Sequence, residues 1–405
     1  MWSRLEFSSP DTQIDDLIAI NDEMIIPQSL SDLFFISTWN KEHGYLDYNH
    51  NSLFSIMEYA KNDLNKYFFC DELQETKKIV CKALSYEEDI NLHTSEIAIF
   101  NNGTSAIFNI LFCLKTYGIK SALLISPTYF TNIKVLKSLN VKSLFFLLKE
   151  NDGFNYDMEK INTLVKQFNI DLIIVTDPLF GVGKSISQDN YQDLFKISRD
   201  NNLWILIDYI YGGLEWNTPH VLCNSWLIKH VKETPKAILC DSIAKKFFLN
   251  GIKYCFVYSN IELIKDLESQ SVYVSGSLCF PQIRLVEKML ERQTLDYLKT
   301  MCDKIICSVS SNYTIVKTAL LGTNIKIAQS DSGIFTLIGL PRKGFISIND
   351  IEIAKEIFVQ SGILTIPHSR YNLKDLEYYF FRVNLAFSQG IIMKYISKLL
   401  LEFNN

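Results

Sequence analysis

Between residues 96 and 208, short runs of consecutive apolar residues alternate with longer stretches whose apolar positions fall at helical spacing. The runs at 96–100, 122–125, 143–147, 171–176 and 203–208 are strand-sized. Helical spacing occupies 106–114, the stretch ending near 139, 157–168 and 190–199. Strands that are apolar without alternation are buried on both faces. The pattern therefore predicts a mostly parallel α/β sheet flanked by helices. Such sheets gather ligand-binding groups at the carboxyl ends of their strands.

The flanks differ in texture. Leu53, Ile56, Met57 and Ala60, then Leu73, Ile79, Val80 and Leu84, predict helix across 52–84. Beyond about residue 258 the pattern loosens. A long helix is expected from 282 through 298 and on to about 321, with strands at 333–338, 363–366 and 379–387 and helices at 350–360 and 390–403. These predict a smaller α+β unit. The first 50 residues show no clean period, and Trp2, Phe34, Phe35 and Trp39 mark them as an arm that packs against something.

Composition narrows the class. With 405 residues, 48% apolar and 21% charged, the chain has ample material for a core. A net charge of -5 offers no electrostatic footprint for nucleic acid. No apolar run approaches membrane-spanning length, and the start of the chain lacks signal-peptide sections. Nine cysteines stand singly, with no pair or Cys/His cluster at metal-ligand spacing. The expectation is a reduced cytoplasmic protein with no metal and no membrane or nucleic-acid partner.

Chemistry-bearing residues collect at the predicted strand ends. Asn102-Gly103-Thr104-Ser105 opens a helix and reads either as a phosphate cradle or as a capped Asn-Gly turn. Tyr129, after Ser126-Pro127-Thr128, would cover a planar ring or join the core. Asp208 ends a buried strand, three residues before Tyr211, and a carboxylate there needs a partner such as a protonated ring nitrogen, unless it caps a helix. Ser242-Ile243-Ala244-Lys245-Lys246 lies between two apolar runs, 237–240 and 254–258. A lysine there is either a desolvated nucleophile or part of a solvated basic turn. Pro178 to Ser185 falls one residue short of the phosphate loop G-x-x-x-x-G-K-[ST], which would mean an ATPase. Against this, proline stands where the first glycine belongs, and no helix starts at Lys184.

Taken in order, these motifs resemble the pyridoxal-phosphate enzymes of the aspartate aminotransferase superfamily, class I/II aminotransferases of fold type I. Gly103-Thr104, Tyr129, Asp208-Tyr209-Ile210-Tyr211 and Ser242-Ile243-Ala244-Lys245 match that family's phosphate turn, stacking aromatic, Asp-x-x-Tyr and lysine motif. The resemblance implies pyridoxal 5'-phosphate as cofactor and Lys245 as the Schiff-base lysine, which leaves Lys246 without a role. Asp208 would face the ring nitrogen and Tyr211 the 3'-oxygen. Asn102, Gly103, Thr104, Ser242 and Lys253 would surround the phosphate. Arg382, in Tyr379-Phe380-Phe381-Arg382-Val383-Asn384, resembles the arginine that binds the substrate α-carboxylate. It also implies an N-terminal arm over 1–50, a large cofactor-binding domain over 51–280 and a small C-terminal domain over 281–405. The implied assembly is a homodimer with its sites at the interface, and Tyr67 resembles the tyrosine that reaches the neighbouring subunit's phosphate.

Departures bear on the reaction. Phe180 stands where the family has an asparagine that contacts the 3'-oxygen, Lys253 replaces an arginine, and His368 follows Pro367 where a glycine is usual. Lysine keeps the charge but loses the bidentate fork. Phe180 and His368 thus join Arg382 as candidate substrate contacts. The implied activity is amino-group exchange between a free amino acid and a 2-oxo acid. The alternative is another α-carbanion reaction of the same fold, by elimination, cyclisation or decarboxylation. A non-catalytic binder of the cofactor or an amino acid is a third reading.

Overall fold

The computed structural model describes residues 67–87, 90–220, 222, 224–243, 245–246, 252–373 and 375–404, together with the backbone of Phe34–Phe35. The expectations for 52–66 and for Trp2 and Trp39 lie outside the described residues. Strand β1 (Phe34–Phe35) and helix α1 (Gln74–Glu87) come first. There follow β2 (Ile97–Phe100), α2 (Gly103–Thr116), β3 (Ser121–Ser126), α3 (Phe130–Ser138), β4 (Lys142–Leu147) and α4 (Met158–Phe168). The alternation continues through β5 (Leu172–Thr176), α5 (Gln188–Asn201), β6 (Trp204–Tyr209), α6 (Ser225–Glu233), β7 (Ala237–Asp241) and β8 (Cys255–Tyr258). Helices α7 (Ile261–Val274), α8 (Phe280–Met289) and α9 (Arg292–Ala319) lead to β9 (Lys326–Ile327), β10 (Phe335–Pro341), α10 (Asp350–Ser361), β11 (Ile363–Leu364), β12 (Tyr378–Asn384) and α11 (Gln389–Phe403).

Seven strands form one sheet in the order β2-β8-β7-β6-β5-β3-β4. The pairs from β4 to β7 are parallel, whereas β8 runs antiparallel to both neighbours. Strands β3, β5, β6 and β7 are buried at every residue, which is what their unbroken apolar runs require. Because β8 is reversed, its amino end lies beside the carboxyl ends of the others. That reversal carries Ile252 and Lys253 to the same edge as Asp208 and Asp241. Local chemistry sets the helix limits. Asn102, Asp157 and Ser187 each accept a backbone N–H from the first turn of the helix they cap, and Asn169 and Asn202 end α4 and α5 in the left-handed region.

A second sheet, β12-β10-β9, is antiparallel, and Leu337 on β10 stands opposite Arg382 on β12. Strand β1 pairs with β11 in parallel, so the Phe34–Phe35 segment joins the C-terminal part of the chain. The long helix expected over 282–321 is two helices, broken at Leu290 and Glu291, where Glu291 is extended. No glycine or proline marks that break. Helices α6 and α7, which were not among the expected elements, are capped by Asn224 and Asn260.

The segment that resembled a phosphate loop ties the two sheets together. The Gly183 carbonyl accepts the amides of Asp331 (2.8 Å) and Ser332 (3.0 Å), and Lys184 pairs with Asp331 at 3.0 Å. Gly183 has φ +72°, and a Cβ there would stand 2.2 Å from the Phe335 carbonyl oxygen. Helix α5 begins only at Gln188. The lysine and backbone are thus committed to protein contacts, and the ATPase reading is set aside.

Candidate active site

A cleft of about 380 Å³ opens at the carboxyl edge of the large sheet, lined by Asn102, Gly103, Thr104, Tyr129, Phe180, Asp208, Tyr211, Ser242, Lys245 and Lys253. Ten of the twelve residues singled out from the sequence therefore meet in one place. They come from the ends of β2, β3, β5, β6 and β7 and the start of β8, segments up to about 150 residues apart along the chain (positions 102 to 253).

At one end, Asn102 Oδ1 takes the Ser105 amide at 2.8 Å, while the amides of Gly103 and Thr104, in the first turn of α2, have no carbonyl within the helix to bond. A Cβ on Gly103 would lie 2.8 Å from Ile210 Cδ1, so a larger residue would press on the Ile210 side chain beside this concavity. Lys253 is exposed nearby, and partial burial and the charge of Lys245 hold its amine below the usual lysine range. Helix N-terminus, glycine and amine together suit a dianionic group.

Asp208 also lines the cleft. It is 4% exposed, and its Oδ1 accepts the Ile210 amide at 3.3 Å. Among the described residues no cation pairs with it. Burial raises its carboxyl to about 6, against a smaller opposing effect of the Ile210 amide. A buried carboxylate facing a cleft in this state would gain from a cationic ligand atom. Tyr129 is half-buried, its hydroxyl 3.5 Å from Thr104 Oγ1 and its ring 5.4 Å from that of Phe180.

Lys245 Nζ lies 5.8 Å from the Tyr211 ring centroid. Burial, with the Arg382 guanidinium adding to it, lowers its amine to about 8. At pH 7.5 that gives roughly two hundred times more neutral amine than an ordinary lysine has. The rate of covalent capture of an added aldehyde at Lys245 is therefore expected to rise with pH through a midpoint near 8. Stopped-flow absorbance checks this, and a midpoint at the ordinary value of 10.5 would contradict it.

Arg382 and His368 do not line the cleft but contact Phe180, which does. The Arg382 guanidinium rests against the rings of Phe335 (4.7 Å), Phe180 (5.4 Å) and Tyr371 (5.8 Å). His368 is fully buried, with Nε2 2.9 Å from the Phe180 carbonyl oxygen, and burial lowers its pKa to about 3. It is a neutral imidazole held against Phe180 and is not among the residues lining the cleft. A Cβ on Gly181 would lie 2.4 Å from its ring. Tyr67 is 79% exposed in the single chain.

The cleft also contains residues that the sequence did not single out. Thr176, opposite Asp208 in the sheet, has a buried hydroxyl without a hydrogen-bond partner among the described residues, and the Tyr254 hydroxyl is buried beside the Ile243 backbone. Ile107, Ile210 and Ile252 supply apolar wall. Ile210 was legible inside the Asp-x-x-Tyr motif; the others carry no local signal.

With this geometry in place, comparison with known proteins is specific at the family level. Residues 47–396 match the model of the family described as aminotransferase class I and II. A tyrosine aminotransferase from Dictyostelium discoideum is 24% identical over 61% of this chain and 58% of its own length. A histidinol-phosphate aminotransferase from Blochmanniella pennsylvanica is 25% identical over 52% of this chain and 51% of its own length. A 1-aminocyclopropane-1-carboxylate synthase from Prunus mume is 20% identical over 62% and 52%. The chain thus aligns with little more than half the length of these curated relatives. Among solved structures, an aspartate aminotransferase variant of Thermus thermophilus superposes with a TM-score of 0.81 at 14% identity, covering 96% of both chains. An Escherichia coli protein with a methionine aminotransferase function superposes with a TM-score of 0.78 at 14% identity, covering 98% and 99%. The chain belongs to the class I and II aminotransferase family of pyridoxal-phosphate-dependent enzymes, and it has their fold.

Proposed function

We propose that the cleft holds pyridoxal 5'-phosphate and that the protein exchanges the amino group of a free amino acid with a 2-oxo acid. The observation that carries this is Asp208, a buried carboxylate with no cation paired to it among the described residues, facing the same cleft as an amine of lowered pKa. When bound, the cofactor supplies an electron sink that makes an amino acid's α-proton acidic. The residues do the rest. Asp208 would hold a proton on the ring nitrogen, Tyr211 would donate to the 3'-oxygen, and Tyr129 would cover the ring. Asn102, Gly103, Thr104, Ser242 and Lys253 would hold the phosphate. Lys245 would be the residue that anchors the cofactor and the amine that carries the α-proton at Nζ. Arg382 takes the α-carboxylate, oriented by the rings against it. His368 fixes Phe180 through its carbonyl.

Further features support the wider reading. Pairing of Phe34–Phe35 with Ile363–Leu364 favours an arm over 1–50 that joins a small domain over 281–405, with the cofactor domain over 51–280. Exposed Tyr67 and Tyr273 favour a homodimer that covers them. No helix among the described residues is long and apolar enough to cross a membrane, and no disulfide joins the eight described cysteines, which favours the cytoplasm.

The test is a spectral screen of the cofactor-loaded protein against single amino acids. Transfer predicts stoichiometric conversion to the amine form of the cofactor, reversed by a 2-oxo acid, without release of ammonia or carbon dioxide. Phe180 favours a second reading, since its ring stands where the family places a polar contact to the 3'-oxygen, and one relative is a cyclopropane-forming synthase. Continuous release of ammonia, carbon dioxide or another leaving group, with no amine form accumulating, would replace transfer with that lyase or cyclase chemistry.

A further inference from the structure

Two lysines follow each other in the turn after β7, and the proposed function uses one. Their side chains take opposite directions. Lys245 is half-buried and lines the cleft. Lys246 is 0% exposed, and its Nζ lies 3.3 Å from Oδ1 of Asp241, which is 1% exposed. Asp241 is the last residue of β7, and the same oxygen takes the Ser242 amide at 2.7 Å. The pair therefore bolts the middle of the turn to the strand from which it departs.

The surroundings are built around that amine. Gly213 has φ +82°, and a Cβ there would lie 2.7 Å from Lys246 Nζ. The Tyr209 ring centroid is 5.8 Å from it. The Tyr209 hydroxyl donates to Glu215 Oε1 at 2.7 Å, so a second carboxylate stands on the same side. Burial raises the Asp241 carboxyl and Glu215 adds to this, while Lys246 opposes both. Removing two charges from water makes a buried ion pair a poor stabiliser, and the best-attested use of such pairs is to fix register. Register is what two adjacent lysines lack, since a shift of one residue in the turn would present the other amine to the cleft.

We propose that the Asp241–Lys246 pair selects which lysine enters the cleft, by holding Lys246 beneath the turn. Lys246 is then a positioning residue, and the inference rests on the cofactor reading above.

The full-length protein is incubated with pyridoxal phosphate, reduced with borohydride and mapped by peptide mass spectrometry. The labelled position is a readout that mere loss of stability does not move. The native chain is expected to carry label on Lys245. Lys245→Ala alone is expected to carry none on Lys246. Lys245→Ala combined with Asp241→Asn, or with Asp241→Ser, releases Lys246 and is expected to place at least ten times more label there. Asp241→Leu with Lys246→Met removes the competitor together with the pair and is expected to label Lys245 as the native chain does. Label on Lys246 in Lys245→Ala alone overturns the proposal. So does its absence from both released variants when melting curves show them folded. A native chain with no label on any lysine overturns the cofactor reading itself.

Discussion

Lys245→Ala is expected to lower turnover by about 10³-fold and to leave the loaded protein without a borohydride-reducible link. Two losses combine in this substitution. The covalent anchor disappears, and so does the amine that carries the α-proton. Cofactor retention should fall less than turnover, because Gly103, Thr104, Ser242 and Lys253, the proposed phosphate contacts, still line the cleft. Lys246 should not rescue it, being fully buried against Asp241. Absorbance spectra before and after reduction, with steady-state rates, test this. Turnover within tenfold of the native enzyme would remove Lys245 from the mechanism.

Asp208→Asn should act with opposite signs in the empty and the loaded protein. In the empty site the carboxyl binds its proton more tightly than in the unfolded chain, at about 6 against 3.8. Stability from this group is full below pH 4 and is lost as pH rises through 6, by up to about 3 kcal/mol. Asparagine carries no such charge. Without cofactor at pH 8 the variant should be more stable by on the order of 2 kcal/mol, after discounting burial of the new amide. With cofactor it should retain the ring less tightly and turn over roughly 10²–10⁴-fold more slowly, having lost the proton-holding group. Asp177 is also raised by burial, and then by Glu215, to about 8, and contributes the same background to both proteins. Urea melts from pH 4 to 8, with and without pyridoxal phosphate, separate the two effects. A variant less stable than the native chain at pH 8 without cofactor would mean that Asp208 serves the fold rather than a ligand.

The large sheet was legible because its strands are short, unbroken apolar runs, and burial on both faces leaves little else for them to be. The second half was less so. Nothing in Leu290-Glu291 announces a break in a helix, whereas α6 and α7, absent from the expected elements, do carry helical spacing at Leu227, Ile228 and Val231 and at Leu263, Ile264 and Leu267. Within the cleft, residues with distinctive chemistry at strand ends were visible, whereas Thr176 and Tyr254 were not. A threonine ending a strand becomes notable only when register sets it beside Asp208 with its hydroxyl unanswered.

By itself the sequence determined the alternation of strands and helices from β2 to β6, the class of sheet and most of the polar groups at strand ends, since these follow from local periodicity and residue type. Only the tertiary structure decided which way each side chain faces. It sent Lys245 into the cleft and Lys246 beneath it, placed His368 against Phe180, and turned a near phosphate loop into a strap between two sheets. Those outcomes depend on burial and on partners 5 to about 190 residues away, from Asp241 and Lys246 to Phe180 and His368. Charge and hydrogen-bonding groups removed from water must find each other, and the chain alone does not show where they meet.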